Sequence, residues 1–326
     1  MSRTIAITGV TGFAGGHVLA ALLARGHRVK ALVRNLAAAR LPDGVQQVQG
    51  DVLNADALEQ LLKGADAVVH LAGVLSALTP HEYFRINAHG TVAMAEAAAR
   101  AGTGRFVHVS SLAAREPALS PYGASKRAGE DAISKLSAAL NAVIIRPPAV
   151  YGPGDRGTLP LIKELTRPIA AIPGSADARF SLIHGADLAR IIVAAIEGGE
   201  TGIHEVSDGR DGGYAWPDLI RIAEEHRGGR IRPVFLPRAV PQGVALAAEA
   251  LARFTGKPGM VNRGKVRELY HRDWVCRTGT LAVDQPIVFA QGFPETLAWY
   301  REAGWLPHRS GTDRTGRESP KDIKRP

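Results

Sequence analysis

A phenol at Tyr122 and an ammonium at Lys126 stand four residues apart in the run Tyr122-Gly123-Ala124-Ser125-Lys126. On a helix that spacing puts both side chains on one face. An ammonium held beside a phenol lowers the phenol's pKa from its free value of about 10. The pair is then a proton-transfer device usable near neutral pH. Without a substrate to face, the same spacing is ordinary amphipathic helix surface, so the rest of the chain must decide between the two.

A second constellation stands near the start, where Thr8-Gly9-Val10-Thr11-Gly12-Phe13-Ala14-Gly15 follows a β-rich run and opens a helical one. That context is the one a phosphate-binding glycine loop requires. Gly9 permits the tight turn, Gly12 lets backbone approach a pyrophosphate, and Gly15 lets helix pack closely on strand. The helix N-terminus offers unpaired N–H groups and a positive dipole end to phosphates. The second strand runs into Arg34, where an NAD site usually places an acidic residue. An arginine there pairs with a 2′-phosphate, so NADP(H) is expected ahead of NAD(H); a solvated surface arginine is the competing reading. Asp51 and Val52 follow the third strand, where the carboxylate either receives the adenine amino group or caps the next helix.

Elements alternate through the first half. Strands are predicted over Thr4–Thr8, Arg28–Val33, Val45–Gln49, Ala67–Leu71, Arg105–Val109 and Ala142–Ile145, with helices over about Gly15–Ala24, Ala88–Ala101 and Tyr122–Ala139. Short, unalternating apolar runs of this kind suit strands buried on both faces. The expected fold is α/β, a doubly wound parallel sheet (Rossmann) with a smaller C-terminal substrate lobe. The dinucleotide-binding part is placed at residues 1–152, with a return segment at 183–200. Residues 153–308, where prolines break the pattern, form mainly the substrate lobe, and 309–326 read as a polar flexible tail.

At 326 residues, 45% of them hydrophobic and 22% charged, the chain has the composition of an ordinary globular protein. Cys276 is its single cysteine, which excludes an internal disulfide and a cysteine-based zinc site and suits a reducing cytoplasm. No metal site is expected. The apolar run Ile5 to Leu23 is interrupted by four glycines and His17 and ends without a cleavage pattern, so no membrane span or signal is expected. Net charge is +9, and the excess is concentrated between Arg221 and Arg272, where eleven Lys or Arg face four Asp or Glu. That excess either keeps the protein soluble or attracts an anionic substrate or membrane surface. Nucleic acid is not expected, because no interleaved aromatics accompany the basic residues.

These motifs together resemble the extended short-chain dehydrogenase/reductases, of the NAD-dependent epimerase/dehydratase type. The likeness runs through the glycine loop, His70-Leu71-Ala72-Gly73, Asn87-Ala88-His89-Gly90-Thr91, Ser110-Ser111, Tyr122-x-x-x-Lys126 and Arg146-Pro147-Pro148-Ala149-Val150-Tyr151-Gly152. Within that family the chain is most similar to the 3β-hydroxysteroid dehydrogenase and dihydroflavonol reductase branch. The resemblance implies Tyr122 as proton donor to a carbonyl oxygen, Lys126 as the ribose contact that tunes it, and Ser111 as a hydrogen bond to the same oxygen, with Ser110 as the other candidate. It places Leu71, Ala72 and Gly73 along the cofactor path and Pro147 and Val150 beside the carboxamide. Asn87 falls near the cofactor or serves as a helix cap. His70, His108 and His184 are read as structural, and Asp187 as a cap.

Relatives acting on nucleotide sugars commonly carry asparagine where this chain has Ala149. Losing that polar contact favours a less polar ligand. The expected activity is therefore interconversion of a ketone and a secondary alcohol on a hydrophobic molecule, steroid-like or a 3-keto lipid of sphingoid or ceramide type. A nucleotide-sugar epimerase or dehydratase using the same residues is the alternative, and a non-catalytic NADP-binding scaffold a third. An amphipathic helix is predicted over Pro241–Phe254. It either packs within the lobe or forms a lid or membrane-facing wall, which makes peripheral contact with an anionic membrane one expectation for an otherwise cytoplasmic protein. Oligomerisation is left open.

Overall fold

Residues 2–136, 138–277 and 281–307 are described by the computed structural model; the expected tail at 309–326 lies outside them. In chain order the first half runs β1 (Thr4–Thr8), α1 (Phe13–Ala24), β2 (Arg28–Val33), β3 (Gln46–Gln49), α2 (Ala55–Leu62), β4 (Ala67–His70), α3 (Pro80–Tyr83), a π-helical turn (Phe84–His89), α4 (Gly90–Arg100), β5 (Arg105–Val109), α5 (Pro121–Lys135) and β6 (Ala142–Arg146). The second half runs β7 (Ala149–Tyr151), α6 (Leu159–Leu165), β8 (Ile169–Pro173), β9 (Arg179–Phe180), β10 (Leu182–His184), α7 (Gly185–Glu197), β11 (Gly202–Glu205), β12 (Tyr214–Ala215), α8 (Trp216–Arg227), β13 (Arg232–Leu236), α9 (Ala239–Thr255), α10 (Arg263–Leu269), β14 (Asp273–Trp274) and α11 (Phe289–Glu302).

Seven strands form one sheet in the order β3-β2-β1-β4-β5-β6-β11, and every pairing in it is parallel. The doubly wound sheet expected from the alternating pattern is present. Alternate side chains feed two cores: Ile5, Ile7, Val107 and Val109 pack with Val18, Leu22, Leu188 and Ile192 of α1 and α7. On the opposite face Ala6, Val68, Phe106 and Ile144 pack with Leu58, Met94 and Ile133 of α2, α4 and α5. A third cluster, built around Tyr151, Ile172, Trp216, Phe289, Phe293 and Tyr300, belongs to the second half.

The chain leaves β1 for β2 on one side, and β4 lies on the other. The loops after β1 and β4 therefore diverge, which leaves a crevice beyond their C-terminal ends, the usual ligand site of such sheets. Caps fix the flanking helices. Asn54 Oδ1 accepts from the Ala57 amide at 3.0 Å to start α2, and Ser120 Oγ accepts from the Gly123 amide at 2.9 Å to start α5, with Pro121 in its first turn.

Three expectations about elements are revised. The 183–200 segment returns to the large sheet through its helix and not its strand: α7 packs on the sheet core beside α1, while β10 pairs with β7 in a separate ladder and the strand that joins the sheet is β11. The helix expected from Ala88 is entered earlier, through α3 and the π-helical turn, because Thr79 caps at Pro80. Asp187 does not cap α7, whose N-cap is His184; its carboxylate accepts from the Ile287 amide at 2.6 Å and from Arg190.

Candidate active site

The glycine loop spans the gap between β1 and α1. Gly9 has φ +75°, and a Cβ there would lie 2.7 Å from the Ala72 amide nitrogen, so the loop rests directly on the backbone after β4. A Cβ on Gly15 would fall 2.1 Å from the Gly9 carbonyl oxygen, closer than any real contact. Both positions accept glycine alone. Gly12 differs, since an added Cβ would meet nothing but Gly9 O, at 3.3 Å. Thr11 and Gly12 are exposed, and α1 begins after Gly12 with no side-chain cap and no acidic residue in its first turn. Its first N–H groups and positive dipole end are thus left for an anion, which is the fit a pyrophosphate requires. Ala14 is partly buried against the sheet core, and the ring of Phe13 packs towards Gly185 and Gly154.

Around the crevice, Arg34 is exposed immediately after β2, and no carboxylate pairs with it among the described residues. Asp51 is exposed and its Oδ1 accepts from the Leu53 amide at 2.8 Å. It does not cap the next helix, because Asn54 does. The Val52 side chain is 5% exposed and sits against Gly90 in the core, which leaves only its backbone to face a ligand. Pro147 is buried, with its carbonyl accepting from the Leu112 amide at 2.8 Å, and Val150 is partly buried on β7.

The Leu71-Ala72-Gly73 segment is tied to the glycine loop and to the π-helical turn. Thr8 Oγ1 accepts from the Ala72 amide at 3.2 Å. Asn87 Oδ1 accepts from the Val74 amide at 2.7 Å, while Asn87 Nδ2 donates to Val74 O and to Ser125 Oγ. Asn87 is therefore a strap between the β4 loop and α5, placed by the π-helical turn, and not a helix cap. Below it, His70 contacts Thr8 and Thr91 through its two ring nitrogens and stacks on His108 at 5.4 Å. Burial, reinforced by the Lys126 charge, pushes His70 down to about 3 and His108 well below its usual range. Two neutral imidazoles thus lie beneath the ammonium.

Tyr122 and Lys126 both lie on α5, one turn apart, as their spacing implies. Lys126 is 3% exposed, and Nζ donates to the Val109 carbonyl at 2.7 Å. Desolvation lowers its pKa to about 8, opposed by the Glu130 carboxylate. The Ser111 side chain lies beside the Tyr122 hydroxyl, near enough to favour its ionised form. Here the expectation of a lowered phenol fails: burial pushes Tyr122 up to about 12, Glu268 and Tyr83 add to the rise, and Ser111 opposes it. Spacing shows the ammonium but not the desolvation, and the ammonium is spent on Val109.

The adjacent serines separate cleanly. Ser110 is buried and donates to Glu130 Oε1 at 2.5 Å. Glu130, 1% exposed, also receives Arg146 Nε at 2.9 Å, and Arg146 reaches Glu205 of β11 at 3.7 Å. Ser111 faces Tyr122, while its Oγ accepts from the Ala113 amide at 3.2 Å.

Three residues of this site were not anticipated. The Tyr83 ring packs edge-on to Tyr122 at 6.4 Å, and Asn262 Nδ2 donates to the Tyr83 hydroxyl at 3.4 Å. Glu268 of α10 accepts from Ser120, the cap of α5, so α10 forms one wall of the site. Cys276 lies apart, with its thiol pushed up to about 12 by burial. Among the described residues no cluster of His, Cys, Asp or Glu is placed to hold a metal, and no helix is long and apolar enough to cross a membrane.

A glycine loop at the switch point of a parallel sheet, with serine, tyrosine and lysine converging beside it, defines an enzyme of the extended short-chain dehydrogenase/reductase type, an oxidoreductase that uses a nicotinamide dinucleotide. Residues 5–206 match the NAD dependent epimerase/dehydratase family, and the chain belongs to that family. It is 41% identical over 312 residues to the ceramide reductase of Caulobacter vibrioides, covering 93% of this chain and 96% of that one. It is 26% identical over 335 residues to the sterol demethylase protein B of Methylococcus capsulatus, covering 93% and 100%. The fold is shared with the UDP-glucuronic acid 4-epimerase of Bacillus cereus in complex with NAD, at a TM-score of 0.67 and 22% identity over 92% of this chain and 99% of that one.

Proposed function

We propose that this enzyme reduces the ketone of a lipid-like molecule, a 3-keto sphingoid or ceramide type, to a secondary alcohol with NADPH as reductant. The observation that carries the substrate class is the 41% identity, along nearly the whole of both chains, to a ceramide reductase. Ala149, exposed on β7 in place of an asparagine, fits the same reading.

In this reading Thr11, Gly12 and the first turn of α1 would hold the pyrophosphate of the dinucleotide, Asp51 its adenine and Arg34 a 2′-phosphate, and the chemistry supplied by the bound group would be a hydride for the carbonyl carbon. The protein's part is to place the carbonyl oxygen between the Ser111 and Tyr122 hydroxyls. As charge develops on that oxygen, Ser111 donates a hydrogen bond and Tyr122 transfers its proton. A phenol raised to about 12 holds its proton throughout the neutral range. It still yields that proton readily to an alkoxide, which is about as basic as hydroxide. Solvent then returns the proton to Tyr122, and Lys126, whose ammonium sits at the Val109 carbonyl, would hold the ribose of the dinucleotide beside it. The raised phenol therefore suits reduction better than oxidation.

The test is NADPH consumption by the purified protein with a 3-keto ceramide, a 3-keto sphingoid base, a 3-ketosteroid and UDP-glucose. Turnover of the first two supports the proposal. Epimerisation of UDP-glucose without net NADPH consumption would replace it with the nucleotide-sugar reading.

Arg34→Ala is expected to weaken NADPH binding by about 10- to 100-fold, the scale of a charge-assisted contact, and to leave NADH binding unchanged. Fluorescence titration of both nucleotides reads this; equal losses for the two would remove Arg34 from the 2′-phosphate. Ser111→Ala is expected to cost about 10²-fold in kcat, together with up to about 1 kcal/mol of stability for the lost bond to the Ala113 amide. By contrast, Ser110→Ala should lose about 1–2 kcal/mol of stability and keep its rate per folded molecule. Steady-state rates and urea midpoints separate the two, and the reverse pattern would exchange their roles.

A further inference from the structure

We propose that α9 is an interfacial helix that docks the enzyme on the surface of an anionic lipid bilayer. The predicted amphipathic pattern is present, but its apolar side faces outward. Only Ala245 of the helix is buried. Val240, Val244, Leu251 and Phe254 fall on one face at helical spacing and are exposed by 51%, 56%, 62% and 91%. Just beyond the helix, Met260 and Val261 are also about half exposed. Isolated exposed apolar residues are ordinary, but a contiguous stripe on a helix marks an interaction surface.

Charge selects the occupant. Arg238 at one end and Arg253 and Lys257 at the other are exposed, and no carboxylate pairs with them among the described residues. The only acid on α9, Glu249, is engaged elsewhere, accepting from the Arg263 amide at 2.8 Å and its Nε at 3.0 Å. Arg253 shares its side of the helix, so that cation borders the apolar ridge from the polar side. An apolar ridge with unpaired cations at both ends matches an anionic headgroup layer over hydrocarbon, with the long cationic side chains reaching up to the headgroups. A second copy of the chain matches it poorly. Packing two such helices about a twofold axis sets cations against cations at each end, whichever way the helices run.

The surface also leads to the site. Glu249 and Arg263 fasten α9 to α10; α10 in turn reaches Tyr83 through Asn262 and Ser120 through Glu268. Docking would bring the α10 wall of the active site to the lipid surface. That consequence rests on the lipid-ketone reading above, whereas docking itself does not.

The experiment is sedimentation of the full chain with phosphatidylcholine vesicles, with and without roughly one-third phosphatidylglycerol, the anionic component. The wild-type protein is expected to bind the anionic vesicles and to lose that binding as salt rises. Leu251→Ser/Phe254→Ser should weaken it by at least about 10-fold, with NADPH binding and thermal midpoint unchanged, which shows the variant folded. Arg253→Glu/Lys257→Glu should do the same. Wild type remaining in the supernatant with both vesicles, or binding unaffected by the substitutions, would overturn the proposal. So would a wild-type dimer that Leu251→Ser/Phe254→Ser converts to monomer, since the stripe would then join two copies. Vesicle binding is read without any ketone, so failure of the substrate assignment leaves this result intact.

Discussion

Tyr122→Phe is expected to lower kcat for ketone reduction by at least about 10²-fold while the protein still folds and binds NADPH, because one positioned proton donor is removed and little else. The ring keeps its edge-on contact with Tyr83, and Ser111 keeps its bond to the Ala113 amide. Burial that raises the phenol to about 12 also means that the hydroxyl carries no charge for the fold to depend on. The measurements are single-turnover rates with saturating NADPH and a separate nucleotide titration. A variant that reduces ketone at the wild-type rate would remove Tyr122 from the chemistry; one that no longer binds NADPH would instead show the hydroxyl to be part of the cofactor site.

Lys126→Met should destroy activity and yet stabilise the unliganded protein at pH 7. The folded state holds this ammonium at about 8 against a free value of 10.5. Below about 8 both folded and unfolded chains carry the proton, and the fold bears the full cost of burying it. Between about 8 and 10.5 the unfolded chain binds more protons, so wild-type stability rises with pH. Above that window the cost has vanished. A shift of this size corresponds to about 3 kcal/mol; the lost bond to the Val109 carbonyl returns about 1 kcal/mol or more of it. A net gain of roughly 1–2 kcal/mol at pH 7, fading towards pH 10, is the expected result of urea denaturation. If wild type and variant respond identically to pH, the ammonium is not carrying that cost. An active-site lysine that weakens its own fold is the usual trade of stability for function.

Much of this site is legible in the residues because particular positions tolerate one type only. Gly9 and Gly15 each abut backbone that no side chain could clear, so their spacing between a strand and a helix carries its own meaning. Tyr122 and Lys126 share a helix face for purely local reasons. What local spacing does not contain is environment. It shows an ammonium one turn from a phenol, but not the burial that drives the phenol upward or the carbonyl that occupies the ammonium. Tyr83, Asn262 and Glu268 were unforeseen because their meeting depends on α10, which lies 140 or more residues beyond Tyr122. In α9 the periodicity correctly marks an apolar face, yet nothing in a period says whether that face turns in or out. The edge strand Gly202–Glu205 has a single strongly apolar residue and so escaped the pattern that revealed its neighbours.

The chain of contacts from Ser110 through Glu130 and Arg146 to Glu205 has a temporal side. Glu205 also takes Arg115 Nη1 at 3.2 Å and the Arg277 amide at 2.7 Å, and Arg115 donates to the Val275 carbonyl, 160 positions away. The segment bearing the two serines is therefore fastened by the last strand to enter the sheet and by residues near 275. During synthesis the glycine loop emerges first, and the groups that lock the serines follow on the order of ten to fifty seconds later. A nascent chain thus has its glycine loop well before the two serines beside Tyr122 are fixed, so an incomplete molecule carries the cradle without the finished site.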